Sequence, residues 1–249
     1  MPVRIDKQGP VAVLTLDRPD KRNAFDGALT AALDAALNAF EDDTALRVAV
    51  LTGGTRFFSA GTDVVAWAGE PTPRGGPYGI AGRRLQKPVI AAVEGIAAGG
   101  GFEIALSCSM IVAASTASFS LPEVGLGLVA ECGGLFRGPR ALPLNIAREL
   151  LLTGAPLGAE RAHALGLVNH LTEPGQALPE ALALARQIAE QAPLAVRETL
   201  AALERLNADD DDRGWELTRR AKAVARQSAD SREGVTAFKE RRAPRWQGR

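Results

Sequence analysis

An apolar run followed by three consecutive glycines and a carboxylate is the sequence feature that most restricts the fold of this chain. The run covers residues 88–93, and the glycines at 99–101 come shortly before Glu103. Consecutive glycines lose much backbone freedom on folding, so we expect them where dihedral angles are unusual or where another group approaches the main chain closely. The apolar residues after them predict a helix, whose first N–H groups and positive dipole end favour an anion. The segment therefore predicts a strand–turn–helix unit that serves either as an anion-binding turn or as a tight packing turn.

The spacing of these glycines excludes the two common phosphate-binding loops. A dinucleotide fingerprint that starts at Gly99 requires a glycine at position 104, where isoleucine stands. A Walker A loop that starts at Gly95 requires Lys and then Ser or Thr after Gly100, but Gly101 and Phe102 follow. Any anion at this turn is therefore expected to be small and not a phosphate.

The composition is that of an ordinary globular protein without a nucleic-acid partner. The 249 residues suffice for one large domain with an appendage, and the 29 basic residues balance the 29 acidic ones, which argues against nucleic-acid and membrane partners. Cys108 and Cys132 form no C-x-x-C motif and do not cluster with the two histidines, so we expect neither a disulfide framework nor a metal site. The sequence shows no targeting segment or long apolar run, which predicts a cytoplasmic protein.

Alternating strand and helix patterns precede a part of the chain that is only helical. Apolar runs predict buried strands at 11–16, 48–51, 89–93 and 109–114. Asp26 is a predicted N-cap for a helix whose apolar residues recur at helical period up to Phe40. From about residue 175 the patterns predict helices at 176–191, 193–206, 213–228 and 231–242. This order predicts an α/β core followed by a helical C-terminal section.

Several connecting segments carry expectations of their own. Thr62 or Asp63 is predicted to cap a helix through Trp67. Residues 69–79, rich in Gly and Pro, predict a mobile surface loop, and a short helix is expected near 80–85. The acidic run at 209–212 is predicted to be a solvated loop before a helix.

An ordered set of motifs resembles the enoyl-CoA hydratase/isomerase, or crotonase, superfamily. The motifs are Arg18-Pro19-Asp20-Lys21-Arg22-Asn23-Ala24, Phe58-Ser59-Ala60-Gly61-Thr62-Asp63, the run from Lys87 to Val93 with Gly99-Gly100-Gly101-Phe102-Glu103, Pro122-Glu123 with Gly125, and Ala237-Phe238-Lys239-Glu240-Arg241-Arg242. The resemblance runs nearly end to end. It implies an α/β fold, a crotonase-type spiral of repeated β-β-α units over residues 1–190, and a helical region over 191–249 that assembles trimers or dimers of trimers.

The resemblance also implies the chemistry of the two glycine loops. Family substrates are acyl thioesters of coenzyme A, which is part of the substrate, so no separate cofactor is expected. Two backbone N–H groups would hold the thioester oxygen as it becomes an enolate; by the motif these belong to Thr62, where most relatives have Ala, and to Gly100. Glu103 and Glu123 match the two family glutamates that act on one water. The implied activity is that of an enoyl-CoA hydratase, a lyase that adds or removes water across the α,β double bond.

Glu131 is the departure that leaves the assignment open. Family dienoyl-CoA isomerases and some carnitinyl-CoA dehydratase-like members carry an acid near this position, so Glu131 is a third catalytic candidate. An isomerase or dehydratase that uses Glu123 and Glu131 is therefore an alternative to a hydratase that uses Glu103 and Glu123. A catalytically silent acyl-CoA-binding protein is a further alternative.

The positions that would contact acyl-CoA are matched less sharply. By resemblance they are Arg22, Ala24, Ala60, Thr62, Asp63, Val64, Gly100, Phe238 and Arg241. Phe238 and Arg241 match positions where relatives reach the coenzyme A of a neighbouring subunit, and lysine is common at the second of these. Arginine keeps the charge but changes its geometry.

Overall fold

The computed structural model describes residues 2–249, which fold into a mixed α/β structure with two sheets. The larger sheet has the order β1-β2-β3-β4-β6-β9, with β1 Val3–Gln8, β2 Val11–Leu16, β3 Val48–Thr52, β4 Val89–Val93, β6 Met110–Ala114 and β9 His170–Thr172. The smaller sheet consists of β5 Ile96–Ala98, β7 Ser118–Ser120 and β8 Leu157–Gly158. The helices are α1 Gly27–Asp42, α2 Gly100–Leu106, α3 Gly134–Ala141, α4 Leu144–Thr153, α5 Ala159–Ala164, α6 Ala177–Ala189, α7 Pro193–Leu206, α8 Ala208–Gln227 and α9 Ala229–Glu240.

The chain moves repeatedly from the larger sheet to the smaller one, which gives the β-β-α repeat. From β2 onward the neighbours in the larger sheet are parallel. After β4 the chain enters the smaller sheet as β5 and then forms α2, and after β6 it enters the smaller sheet again as β7. After β3, Ser59 makes a parallel bridge to Ala97 of β5. Three successive segments therefore lie side by side where the smaller sheet meets α2.

The central parallel strands β2, β3, β4 and β6 are largely buried on both faces, as their uninterrupted apolar runs predict. In β3, Ala49 and Leu51 belong to the larger core cluster, which includes the apolar face of α1. Val48 and Val50 belong to a second cluster, which includes the alanines of α6. The predicted strands at 11–16, 48–51, 89–93 and 109–114 are thus confirmed to within one residue at their ends.

Helix α1 forms as predicted. The end of the segment 69–79, which was predicted to be a surface loop, packs against it. The Asp26 carboxylate accepts a hydrogen bond from the Leu29 N–H at 2.8 Å, which caps the helix. Residues 69–79 were predicted to be a surface loop, but Tyr78 and Gly79 are buried against α1. A β-carbon on Gly79 would lie 2.7 Å from the Thr30 carbonyl oxygen, so only glycine permits this close packing. The predicted helix at 80–85 is absent, since residues 80–82 form a turn and residues 83–85 have no regular secondary structure.

The helical C-terminal section starts after α6. The predicted boundary near residue 190 falls between α6, which covers the larger sheet, and α7. The acidic run at 209–212 was predicted to be a loop, but it forms the first turn of α8. Carboxylates are favourable at this end of a helix because they face its positive dipole end. Across residues 2–249, no helix is long and apolar enough to cross a membrane.

Candidate active site

Two backbone N–H groups converge where the loop after β3 meets the start of α2. Within the described chain, neither the Thr62 N–H nor the Gly100 N–H donates to a protein acceptor. The Thr62 loop is fixed by Phe25, whose N–H donates to the Gly61 carbonyl oxygen at 2.7 Å and whose own carbonyl accepts from Asp63 at 2.9 Å. A β-carbon on Gly61 would lie 3.0 Å from the Gly100 nitrogen, so the two donors belong to adjoining stretches of main chain. Paired free donors of this kind suit a developing oxyanion.

Each of the three consecutive glycines has a separate reason to lack a side chain. Gly99 has φ +53°, and a β-carbon there would lie 3.0 Å from Oε1 of Glu123. A β-carbon on Gly100 would lie 2.3 Å from the Tyr78 hydroxyl oxygen, and one on Gly101 would lie 2.3 Å from the Ser59 carbonyl oxygen. The turn is therefore a tight packing turn that also presents the free N–H of Gly100, and its anion-binding role stays a prediction.

Glu103 lies in the first turn of α2 and is buried. Its Oε1 accepts hydrogen bonds from the N–H groups of Cys132 at 2.7 Å and of Gly134 at 2.9 Å. Burial raises the pKa of Glu103 to about 7, although these two hydrogen bonds act in the opposite direction. The two donors favour the carboxylate form and fix it against the turn at residues 132–134.

Glu123 lies in the short 3₁₀ turn Pro122–Leu126, and its carboxyl end points toward the glycine turn. Its Oε2 is buried and has no hydrogen-bond partner within the described residues. Burial, and next the charge of Glu103, raise the pKa of Glu123 to about 8. Because the two carboxyls influence each other, they titrate as a pair and share one proton near neutral pH. The hydrogen bonds to Glu103 favour Glu103 as the ionised partner and Glu123 as the protonated one.

Tyr78 is a site residue that the sequence prediction missed. Its hydroxyl oxygen lies 2.7 Å from the Thr62 side-chain oxygen, and its ring packs edge-on against Phe25 with the centroids 5.4 Å apart. Burial raises the pKa of Tyr78 well above its ordinary value. One sequence feature could have pointed to Tyr78: it is the only tyrosine of the chain and stands among three glycines, Gly75, Gly76 and Gly79.

Glu131 is placed differently from the two buried acids. It is half-buried, and it forms ion pairs with Arg226 and, at 3.3 Å, with Lys222, both on α8. Its carboxylate therefore faces two cations, whereas the Glu103 carboxylate accepts two backbone hydrogen bonds and the Glu123 carboxyl lies against Gly99.

The predicted acyl-CoA contacts fall in two parts of the chain. The Ala60 N–H donates to the Arg22 carbonyl at 2.9 Å, which joins the loop at 22–24 to the stretch at 60–64. The Asp63 side chain is fully engaged, since it accepts from the N–H groups of Val65 and Ala66 and pairs with Arg18 at 2.9 Å. These hydrogen bonds lower its pKa to about 2. They form a single turn in place of the helix predicted through Trp67. The backbone groups of Asp63 are engaged as well, since its N–H donates to the Phe25 carbonyl oxygen and its carbonyl oxygen accepts from the Trp67 N–H.

Phe238 and Arg241 lie apart from these loops in the sequence, at the end of α9. Phe238 is exposed, and Arg241 has φ +55° just after the last turn of the helix. Helix α9 packs on the 3₁₀ turn that carries Glu123, where a β-carbon on Gly234 would lie 2.3 Å from the Leu126 carbonyl. The two residues are thus available to another molecule.

Comparison with known proteins identifies the family to which this chain belongs. The enoyl-CoA hydratase/isomerase family model matches residues 6–249. A carnitinyl-CoA dehydratase from Salmonella arizonae is 42% identical over 261 aligned positions, which cover 99% of this chain and 98% of the relative. The chain belongs to the enoyl-CoA hydratase/isomerase family.

Solved structures agree with the fold. A carnitinyl-CoA hydratase from Mycobacterium avium superposes with a TM-score of 0.93 at 37% identity, covering 100% of this chain and 99% of that one. An enoyl-CoA hydratase from Mycobacterium tuberculosis superposes with a TM-score of 0.81 at 42% identity and the same coverage. The protein has the crotonase fold with a helical C-terminal region, as the resemblance implied.

Proposed function

We propose that this protein is a hydro-lyase that adds or removes water across the α,β double bond of an acyl-CoA thioester. The observation that carries the proposal is the meeting of two free backbone donors, at Thr62 and Gly100, with two buried carboxyls, Glu103 and Glu123, at one glycine turn. The names of relatives at about 40% identity, which are carnitinyl-CoA dehydratase and enoyl-CoA hydratase, support the same reaction class.

In this proposal each group has one role. The thioester oxygen accepts from the N–H groups of Thr62 and Gly100, which stabilise the negative charge that it gains as the enolate forms. Ionised Glu103 removes a proton from water, whose oxygen attacks the β-carbon. Protonated Glu123 then gives its proton to the α-carbon, so that water is added and the pair again holds one proton. In dehydration the same two residues act in the reverse sense.

The two acids are tested by replacing each with glutamine, which keeps the shape and removes the acid–base function. We expect Glu103→Gln and Glu123→Gln each to lower the hydration rate of crotonyl-CoA by about 10²- to 10⁴-fold, as measured by loss of the enoyl absorbance. Glu131→Gln serves as the matched control, because Glu131 is engaged with Lys222 and Arg226. Wild-type rates in both of the first two variants would rule out this mechanism, and loss of activity in Glu123→Gln and Glu131→Gln but not in Glu103→Gln would favour the isomerase or dehydratase alternative.

Self-association as a trimer or a dimer of trimers is the second part of the proposal. Helices α7 and α8 expose large apolar side chains that one chain alone leaves in water, namely Leu194, Leu203, Leu206, Leu217 and Val224. Covering such a surface is favourable, at about 25 cal/mol per Å² of apolar area. Light scattering coupled to gel filtration tests this part, and a monomer at micromolar concentration would contradict it.

A further inference from the structure

The guanidinium of Arg226, near the end of α8, bridges two chain segments that carry the active site. On one side it lies 5.3 Å from the ring centroid of Trp67, in the turn that follows Thr62. On the other side its Nε donates to Oε2 of Glu131 at 3.0 Å. Glu131 directly precedes Cys132, whose N–H binds Glu103. Arg226 therefore lies between the turn that follows Thr62 and the turn whose N–H groups bind Glu103.

Both partners of Arg226 belong to the classes of group that proteins use to bind a quaternary ammonium ion. Aromatic faces attract cations through the ring quadrupole, and carboxylates attract them by charge. Here the face of Trp67 and both oxygens of Glu131 are already engaged by Arg226. Lys222 adds a second cation 3.3 Å from Glu131. One carboxylate and two cations leave this cluster with one net positive charge.

Trp67 is fixed in place before any ligand binds. Its φ is +58°, in the left-handed region that a large side chain seldom adopts. The Trp67 N–H donates to the Asp63 carbonyl oxygen at 2.7 Å, and the Asp63 carboxylate is paired with Arg18 at 2.9 Å. The backbone of Trp67 is thus held in the turn that follows Thr62, and its ring contacts Arg226.

We propose that Arg226 is a specificity-determining residue that selects acyl-CoA thioesters whose acyl group is uncharged or anionic and rejects those that carry a quaternary ammonium. The inference rests on the proposed function, since it deepens the description of the same acyl site. A carnitinyl group carries a trimethylammonium, which would meet like charge here and would find Trp67 and Glu131 occupied. An uncharged chain meets no such repulsion, and a terminal carboxylate would be attracted.

Binding of saturated thioesters separates this selection from catalysis. The probes are butyryl-CoA, glutaryl-CoA and 4-trimethylaminobutyryl-CoA, with dissociation constants measured by calorimetry on the full-length protein. We expect the wild-type protein to bind the trimethylammonium thioester at least tenfold more weakly than butyryl-CoA. In Arg226→Gln the difference should fall below about threefold, and binding of glutaryl-CoA should weaken. Arg226→Lys should keep the selection.

Two further variants complete the design. Arg220→Gln is the matched control, since Arg220 is exposed on the same helix and pairs with Glu216 one turn away; it should leave all three constants unchanged. Lys222→Gln removes a charge from the cluster but leaves Arg226 in place. It should lower the ratio of the dissociation constants of 4-trimethylaminobutyryl-CoA and butyryl-CoA by about two- to threefold. This variant provides a test even if Arg226→Gln does not fold.

Two results would overturn the proposal. The first is that the wild-type protein binds the trimethylammonium thioester as tightly as butyryl-CoA. The second is that the wild-type protein prefers butyryl-CoA but neither Arg226→Gln nor Lys222→Gln changes that preference. Hydration of crotonyl-CoA is measured in parallel. If the protein prefers butyryl-CoA over the trimethylammonium thioester but does not hydrate crotonyl-CoA, the proposed function is refuted and this inference stands. If it hydrates crotonyl-CoA but shows no such preference, this inference is refuted and the proposed function stands.

Discussion

Replacing Glu123 with glutamine is expected to stabilise the folded protein at pH 8 and to leave its stability unchanged at pH 5. Burial raises the pKa of this carboxyl from 4.5 to about 8 in the folded chain, and its Oε2 has no partner among the described residues. The folded state therefore binds the proton more tightly than the unfolded chain does. The resulting loss of stability is absent below about pH 4.5, grows as the pH rises and is complete above about pH 8.

The magnitude follows from that difference in pKa. Each pKa unit corresponds to ~1.4 kcal/mol, so ionising Glu123 in the folded state costs at most about 5 kcal/mol. Part of this cost is mutual repulsion with Glu103, and relaxation of the site lowers it further, so we expect a gain of about 2 kcal/mol in Glu123→Gln at pH 8. For a chain of this length, such a gain corresponds to a rise in Tm of about 4–8 °C.

Thermal unfolding of wild type and variant at pH 5, 6, 7 and 8 provides the test. The difference in Tm should be near zero at pH 5 and should increase steadily toward pH 8. Glu149→Gln, on the exposed face of α4, is the control and should show no such trend. A Glu123→Gln variant that is less stable than wild type at pH 8, or whose difference does not depend on pH, would refute the reasoning.

Two further predictions concern the glycine turn and its acids. The value of kcat/KM for crotonyl-CoA hydration should be greatest between about pH 7 and pH 8, because Glu103 and Glu123 there share one proton. It should fall about tenfold per pH unit on either side of this range. A flat profile from pH 5 to pH 10 would contradict the assignment of the two residues as a paired acid and base. Gly100→Ala places a methyl group 2.3 Å from the Tyr78 hydroxyl, so we expect activity to fall by at least about 10²-fold, as measured by initial rates. Gly125→Ala, where a β-carbon meets nothing within 4 Å, is its control, and equal rates in the two variants would show that Tyr78 does not matter for the turn.

Most of the sheet and the turn could be predicted from the sequence, because their signals are local. The apolar run of β4, the three glycines and the helix behind them lie within a few turns of chain, so their pattern already specifies a strand, a turn and a helix. Glu103 and Thr62 were predicted from family motifs, and the structure places the Thr62 loop and α2 next to each other. Their catalytic roles remain predictions.

The parts that could not be predicted depend on contacts between distant segments. Residues 75–79 have the composition of a flexible loop, and only packing on α1 buries Tyr78 among them. Helix α3 was not predicted because it contains Pro139 and starts at a glycine, which local propensity disfavours. The ion pair of Arg226 with Glu131 joins positions far apart in the chain, and a single sequence carries no sign of such a pair.

Four main-chain N–H groups lie in the candidate site: those of Thr62 and Gly100 have no protein acceptor, and those of Cys132 and Gly134 bind Glu103. Steric crowding fixes glycine at 100, where a β-carbon would collide with Tyr78. At positions 62 and 132, by contrast, any residue except proline supplies the same donor. The side chain at 132, and the one at 62 apart from its contact with the Tyr78 hydroxyl, can therefore change during evolution or by engineering and reshape the candidate site while all four backbone donors stay in place.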